Sequence, residues 1–150
     1  MDTTVAVAAM GFATTLLATW MTGRFQGRAD RDGRILEARV RVYGECSDSL
    51  YEYARATYNR AKARLELRPE VDREILRQEA YRCNARARSA IGQALILSGE
   101  QHLGEKLSSV RHEIGELKHA SDETDLKRRQ SEIYDRLKEA LDAARGDLTI

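Results

Sequence analysis

The stretch His112-Glu113-Ile114-Gly115-Glu116-Leu117-Lys118-His119 gathers the residue types that ligate metal ions. His112, Glu116 and His119 stand at i, i+4 and i+7. Glu116-x-x-His119 has the spacing by which helical bundles present a carboxylate and an imidazole to a di-iron centre. The same stretch opens like a zinc-protease helix, but Glu116 stands where that motif needs its second histidine. The helix that would carry these residues argues against a site. If Ile114 faces the core, His112 and Glu116 lie roughly 200° around the helix from it, on the solvent side. A second Glu-x-x-His is absent. A solvated face is therefore the expectation, and a metal-binding or enzymatic domain using His112, Glu116 and His119 is the alternative.

No other stretch offers a reaction. A nucleophile elbow, a phosphate-binding loop and a dinucleotide glycine motif are all missing. The chain is expected not to be an enzyme, and it implies no cofactor. Tyr43, Tyr51, Tyr53, Tyr58 and Tyr81 read as amphipathic residues at the edge of a core. Cys46 and Cys83 lie 37 residues apart with no CxxC. They read as buried free thiols, consistent with a reducing compartment.

The basic residues form two strips. Arg24, Arg28, Arg31, Arg34, Arg39 and Arg41 make the first, and Arg55, Arg60, Lys62, Arg64 and Arg68 the second. Asp30, Asp32, Glu37 and Glu66 interrupt them and weaken a nucleic-acid reading. Anionic lipid headgroups, worth about 1 kcal/mol per basic residue near a membrane, explain the first strip better. A nucleic-acid partner is disfavoured on this count. Net charge is only +1 over 150 residues. It is unevenly spread: residues 22–68 carry 11 basic against 7 acidic side chains, and residues 99–150 carry 9 against 12.

These residues need elements to hold them. Thr3–Thr22 contains no charge. As a helix it is about 30 Å long, the thickness of a bilayer's hydrocarbon core. It is apolar all round, unlike a surface helix with one buried stripe. It lacks the basic start and the small-x-small cleavage site of a signal peptide. Residues 1–22 are thus expected to form a single transmembrane anchor, residues 23–34 a basic juxtamembrane collar, and residues 35–150 a helical domain. Arg24, Arg28, Arg31 and Arg34 follow the anchor, and the positive-inside rule puts that side in the cytoplasm and the N-terminus outside. Trp20 falls at interface depth. Gly11, Thr15 and Thr19 recur every fourth residue, the spacing by which two helices approach closely in lipid, so a homo-oligomer is expected.

Beyond the collar the apolar pattern is helical, with one proline in the whole chain, Pro69. Leu36, Val40, Tyr43, Cys46, Leu50, Tyr53, Ala54, Thr57 and Ala61 mark a first stripe. Pro69, followed by Glu70, Asp72 and Glu74, marks a helix start. Val71, Ile75, Leu76, Cys83, Ala87, Ile91, Ala94 and Leu95 mark the second stripe, which ends at the turn signal Ser98-Gly99. Leu103, Leu107, Val110, Ile114 and Leu117 step by 4, 3, 4 and 3, a heptad seam with surface to offer a second copy. Leu126, Gln130, Ile133, Leu137, Leu141, Ala144 and Leu148 form a fourth stripe, with Gln130 its polar position. The expected class is all-α: one transmembrane helix, then an antiparallel helical bundle or coiled-coil hairpin of about four helices.

"TWMTGRFQGRADRDGR" at 19–34, "RVYGECSDSLYEYARA" at 41–56 and "LDAARGDLTI" at 141–150 carry a resemblance. The layout resembles a loose group of small membrane-anchored helical proteins of high-GC Gram-positive (actinobacterial) genomes and their phages or plasmids. That resemblance spans the chain but implies no activity, and it transfers no functional residue.

The expected function is a scaffold or protein-interaction module that holds a helical bundle at the cytoplasmic membrane face and binds itself or another protein. A membrane-tethered nucleic-acid binder and a lysis-type coiled-coil protein are the remaining alternatives.

Overall fold

The computed structural model describes the backbone of residues 2–98 and 101–146 and the side chains of residues 33–98 and 102–144. Among the described residues four α-helices follow in order: α1 (Asp2–Leu65), α2 (Glu70–Ser98), α3 (Gln101–Glu116) and α4 (Glu123–Gly146). A 3₁₀ turn, Leu117–His119, closes α3. The same described residues contain no strand. The chain divides into two units, Met1–Glu37 and Ala38–Ile150.

In the first unit the side chains of Gly11, Thr15, Thr19, Trp20, Arg24, Arg28 and Arg31 lie outside the described residues, as does the side-chain surface of the whole expected anchor, Thr3–Thr22. Arg34 is described and exposed. Among the described residues no helix is long and apolar enough to cross a membrane.

The second unit is a four-helix bundle, and its register can be read from pairs that cross between helices. On α1 and α2, the Arg39 guanidinium donates to the Leu97 carbonyl at 3.0 Å and Glu52 pairs with Arg86 at 2.9 Å. Residue numbers rise on one helix as they fall on the other, so the two are antiparallel. Arg111 donates to Asn84 at 2.9 Å, and Gly104 lies against Leu95, which sets α3 antiparallel to α2. Arg136 pairs with Glu113 across α3 and α4. Tyr51 meets Tyr134, with ring centroids 5.6 Å apart, across α1 and α4. The chain therefore runs up, down, up and down.

The buried residues follow the helical period. Tyr43, Cys46, Leu50, Tyr53, Ala54, Thr57 and Ala61 line α1, and Leu126, Ile133, Leu137, Ala140 and Ala144 line α4. On α2 the buried stripe is small: Ala80, Cys83, Ala87, Ala90, Ala94 and Ser98, with Ile91 as its one large member. Small side chains let neighbouring helices approach, and at Gly104 the approach is closest. A Cβ there would overlap Leu95 Cδ2.

Four stripe positions depart from the expected pattern. Leu36 and Val40 on α1, and Val71 and Ile75 on α2, are exposed, the last two at 70% and 60%. Helix length is the reason for Leu36, Val71 and Ile75. The α2–α3 register puts Glu116, the end of α3, level with about residue 79 of α2, so the first two turns of α2 run past their neighbour. At the other end α2 stops at Ser98, level with Arg39. An apolar side chain beyond the end of the neighbouring helix has nothing to be buried against. Leu95 is also more than a third exposed, because its side chain lies over Gly104 rather than in the central seam. Leu148 lies outside the described residues.

The turns are built by the chain's own polar groups. Leu67 N–H donates to the Arg64 carbonyl at 3.2 Å and Arg68 N–H to the Ala63 carbonyl at 3.0 Å. This pair of bonds is a Schellman motif, which requires a left-handed residue at its turn. Leu67 fills that place at φ 51°, a conformation costly for a leucine. Pro69 then sits just before α2, its carbonyl accepting from Arg73 N–H at 3.1 Å. At the start of α4, Asp122 Oδ1 accepts from Asp125 N–H at 2.9 Å and Asp125 Oδ2 from Ser121 N–H at 3.1 Å, a reciprocal cap. The guanidinium of Arg129, then the Ser121 amide, hold the Asp125 carboxyl well below its ordinary range, at about 2.

Candidate functional site

The residues expected to do chemistry fall into three places. His112 is exposed on α3 and Glu116 is half-buried. His119 leaves that helix face through the 3₁₀ turn and joins Lys118, Arg60 and Arg64. A metal cation placed at His119 would meet three basic neighbours instead of carboxylates. Among the described residues no group of three His, Cys, Asp or Glu could hold a metal ion.

Leu103, Leu107, Val110, Ile114 and Leu117 are all buried within the single chain. They are covered by the chain's own helices, α2 and α4 among them, and Tyr53 of α1 lies against Gly115 on the same helix. The heptad seam is real, but it is occupied by the chain's own helices and leaves no surface for a second copy. Gln130 is half-buried and donates to the Tyr134 hydroxyl at 3.2 Å, which satisfies the one polar position of the α4 stripe.

Cys46 and Cys83 are buried and unpaired. The Glu52–Arg86 register sets Cys83 level with about residue 55 of α1. That is some nine residues, or about 13 Å, from Cys46, well beyond the ~7 Å Cα separation a disulfide tolerates. Burial pushes the Cys46 thiol up to about 11 from 9.0. Burial, then the charge of Glu79, also raises Cys83. Because the folded-state value of Cys46 is raised, the stability it supports is complete below pH 9 and is lost between pH 9 and 11. The loss is on the order of 2–3 kcal/mol. Urea denaturation of the wild type and of Cys46→Ala at each pH measures it. The difference between the two should shrink across that window, and a constant difference would refute this origin.

Grooves open on the bundle's surface. One, between α1 and α2 with Tyr134 at its edge, is lined by Asp48, Glu52 and Glu79 opposite Arg55, Arg82 and Arg86. Its charges neutralise each other: Glu52 pairs with Arg86 at 2.9 Å and Glu79 with Arg82 at 2.7 Å. Surface pairs of this kind fix register more than they stabilise.

Another is different in kind. It has a volume of about 370 Å³ and is lined by Arg60, Ala61, Arg64, Lys118 and His119. Arg60 and Arg64 are one turn apart on α1. Lys118 and His119 come from the 3₁₀ turn after α3. Buried Ala61 forms the floor. The guanidinium of Arg64 donates to the Ala120 carbonyl, and that of Arg60 stands 5.5 Å over the Tyr81 ring. The backbone carbonyl and the aromatic ring are neutral, so neither cancels the charge of the guanidinium it holds, though the charge of Glu74 also reaches Arg60. The nearby acids are engaged elsewhere: Glu74 with Arg77 at 2.5 Å, and Glu123 with Lys127 at 2.8 Å. The sequence marks Arg60 and Arg64 as part of a basic strip. Only the fold adds Lys118 and His119 to them.

Residues 40–148 match the family described as KilB plasmid transfer protein. No curated protein and no solved structure matches the chain. The matched stretch, 40–148, starts two residues inside the bundle unit, 38–150, and stops two residues before its end, so the match and the unit coincide almost residue for residue. With well over half of its length covered, the chain belongs to the KilB plasmid transfer protein family.

Proposed function

We propose that this protein is a membrane-anchored scaffold in plasmid transfer. Its four-helix unit is the working module, presented at the cytoplasmic face of the membrane. Residues 3–22 are its anchor, with Arg24, Arg28, Arg31 and Arg34 against anionic headgroups. The observation that carries this reading is the shared boundary of the family match, 40–148, and the bundle unit, 38–150. The family match falls on the bundle unit, and the uncharged segment lies wholly in the other unit. Such a division of labour suits a module that acts by binding and a segment that acts by location. Association of two copies through Gly11, Thr15 and Thr19 in lipid would raise the effective concentration of the bundles. The resemblance to small anchored proteins of actinobacterial replicons fits a home on such a plasmid.

Two measurements test the reading together. A reporter fused after Ile150 should be active in the cytoplasm, and activity outside the membrane would overturn the topology. Deleting the gene from its plasmid should lower transfer frequency, with recovery when the full chain is supplied in trans. Unchanged transfer would overturn the role.

A further inference from the structure

We propose that the groove bounded by Arg60, Arg64, Lys118 and His119 binds the phosphate backbone of nucleic acid. Four of its five lining residues are basic, and the fifth is the buried floor, Ala61. Like charges one turn apart on a helix repel each other. Here a second pair, more than fifty residues away in sequence, is folded onto the first. An arrangement of that kind costs stability until an anion enters it. Elsewhere on the bundle arginines stand beside carboxylates, as in Arg73–Glu70, Arg82–Glu79, Arg128–Asp125 and Arg136–Glu113. The side chains of Lys118 and His119 make no hydrogen bond or ion pair with any described residue.

The geometry also suits a phosphate. Arg64 is oriented by a backbone carbonyl and Arg60 by an aromatic face, so two guanidinium groups are held with N–H groups to spare. Guanidinium groups match phosphate oxygens two at a time, and Lys118 adds a mobile point charge. A phosphodiester chain offers one negative charge per nucleotide, which a cluster of this size can engage without reading bases.

A lipid headgroup carries the same phosphate, and competition separates the two sources. The choice of nucleic acid as occupant rests in part on the plasmid-transfer reading above. The two basic strips of the sequence are weak for nucleic acid because acids interrupt them. The folded groove brings together three cations and a histidine with no carboxylate among its lining residues.

The test uses the full chain in neutral-detergent micelles and a fluorescein-labelled 20-base-pair duplex of mixed sequence, read by anisotropy. The wild type should bind, and its affinity should fall steeply with salt. Lys118→Glu should weaken binding about tenfold or more and reduce the salt slope by about one, as expected when a phosphate contact is lost. Lys106→Glu makes the same charge change on the far part of α3 and should change affinity by less than about threefold. His119→Glu repeats the groove test should Lys118→Glu melt early. Equal losses at Lys106 and Lys118 would mean diffuse attraction and overturn the proposal, as would absence of duplex binding. Inorganic phosphate and dihexanoyl phosphatidylglycerol, added at constant ionic strength, are the competing arms. Displacement of the duplex by either below millimolar concentration would assign the groove to that ligand and overturn the assignment to nucleic acid. Absence of duplex binding leaves the transfer role standing, because transfer frequency reads that role. A gene deletion silent in transfer removes the role while duplex binding stays measurable.

Discussion

Leu107→Asp should unfold the bundle well below the melting temperature of the wild type, while His112→Ala, five residues along the same helix, should leave melting almost unchanged. Leu107 is buried in the middle of α3, and α3 packs against both α2 and α4. The substitution removes an apolar side chain worth about 2–5 kcal/mol in a core position. It also puts a carboxylate into a buried position, at a further cost of several kcal/mol unless the group takes up a proton. A domain of this size is held by only about 5–15 kcal/mol in total. A loss of about 4–5 kcal/mol would lower the midpoint by roughly 15–30 °C. His112 is exposed on the outer face of α3, so its removal should shift the midpoint by less than about 2 °C. Thermal melts followed by circular dichroism at 222 nm decide it. Comparable losses for the two variants would mean that α3 turns its other face inward and would return His112 and Glu116 to consideration as a buried site.

That contrast is legible in the sequence alone, because a 3-4 spacing of large apolar residues defines a helix face without reference to its partner. Leu103, Leu107, Val110, Ile114 and Leu117 mark such a face, and so do Leu126, Ile133 and Leu137. What the pattern does not contain is the length of the neighbouring helix. Val71 and Ile75 continue the apolar spacing of α2 and are exposed because α3 is shorter. Small residues are legible only in part. Ala80 and Ala90 on α2 and Ala140 on α4 are buried, yet an alanine carries little periodic signal against a background rich in alanine. The seam's use is also out of the sequence's reach. A heptad stripe says that something covers it, and only the fold shows that the cover is intramolecular. The basic groove is the least legible feature. Arg60 and Lys118 are separated by 58 positions, and their meeting depends on α1 and α3 running parallel with Ala61 and the 3₁₀ turn at one level.

Removal of Met1–Glu37 should leave a folded bundle that no longer sediments with membranes, an all-or-none change in location with little change in stability. The buried residues among those described run from Val42 to Ala144, so the truncation deletes none of them. The unit that starts at Ala38 contains every pair that sets the helix register, from Arg39–Leu97 to Glu113–Arg136. A chain beginning at Ala38 should therefore melt within a few degrees of the full chain. Its location should change because the uncharged Thr3–Thr22, the proposed anchor, is gone. The remaining attraction to anionic lipid is electrostatic and should be released by salt, unlike an inserted helix. Membrane pellets washed at high salt and at alkaline pH separate the two cases, with the full chain retained and the truncated chain in the supernatant. A truncated chain that stays in the washed pellet would show that the bundle itself holds the membrane. It would remove the anchor from the proposed function. A truncated chain that fails to fold would show that residues before Ala38 complete the core, against the division of the chain into two units. Full transfer activity from a soluble, folded bundle would mean that location is not what residues 1–37 contribute.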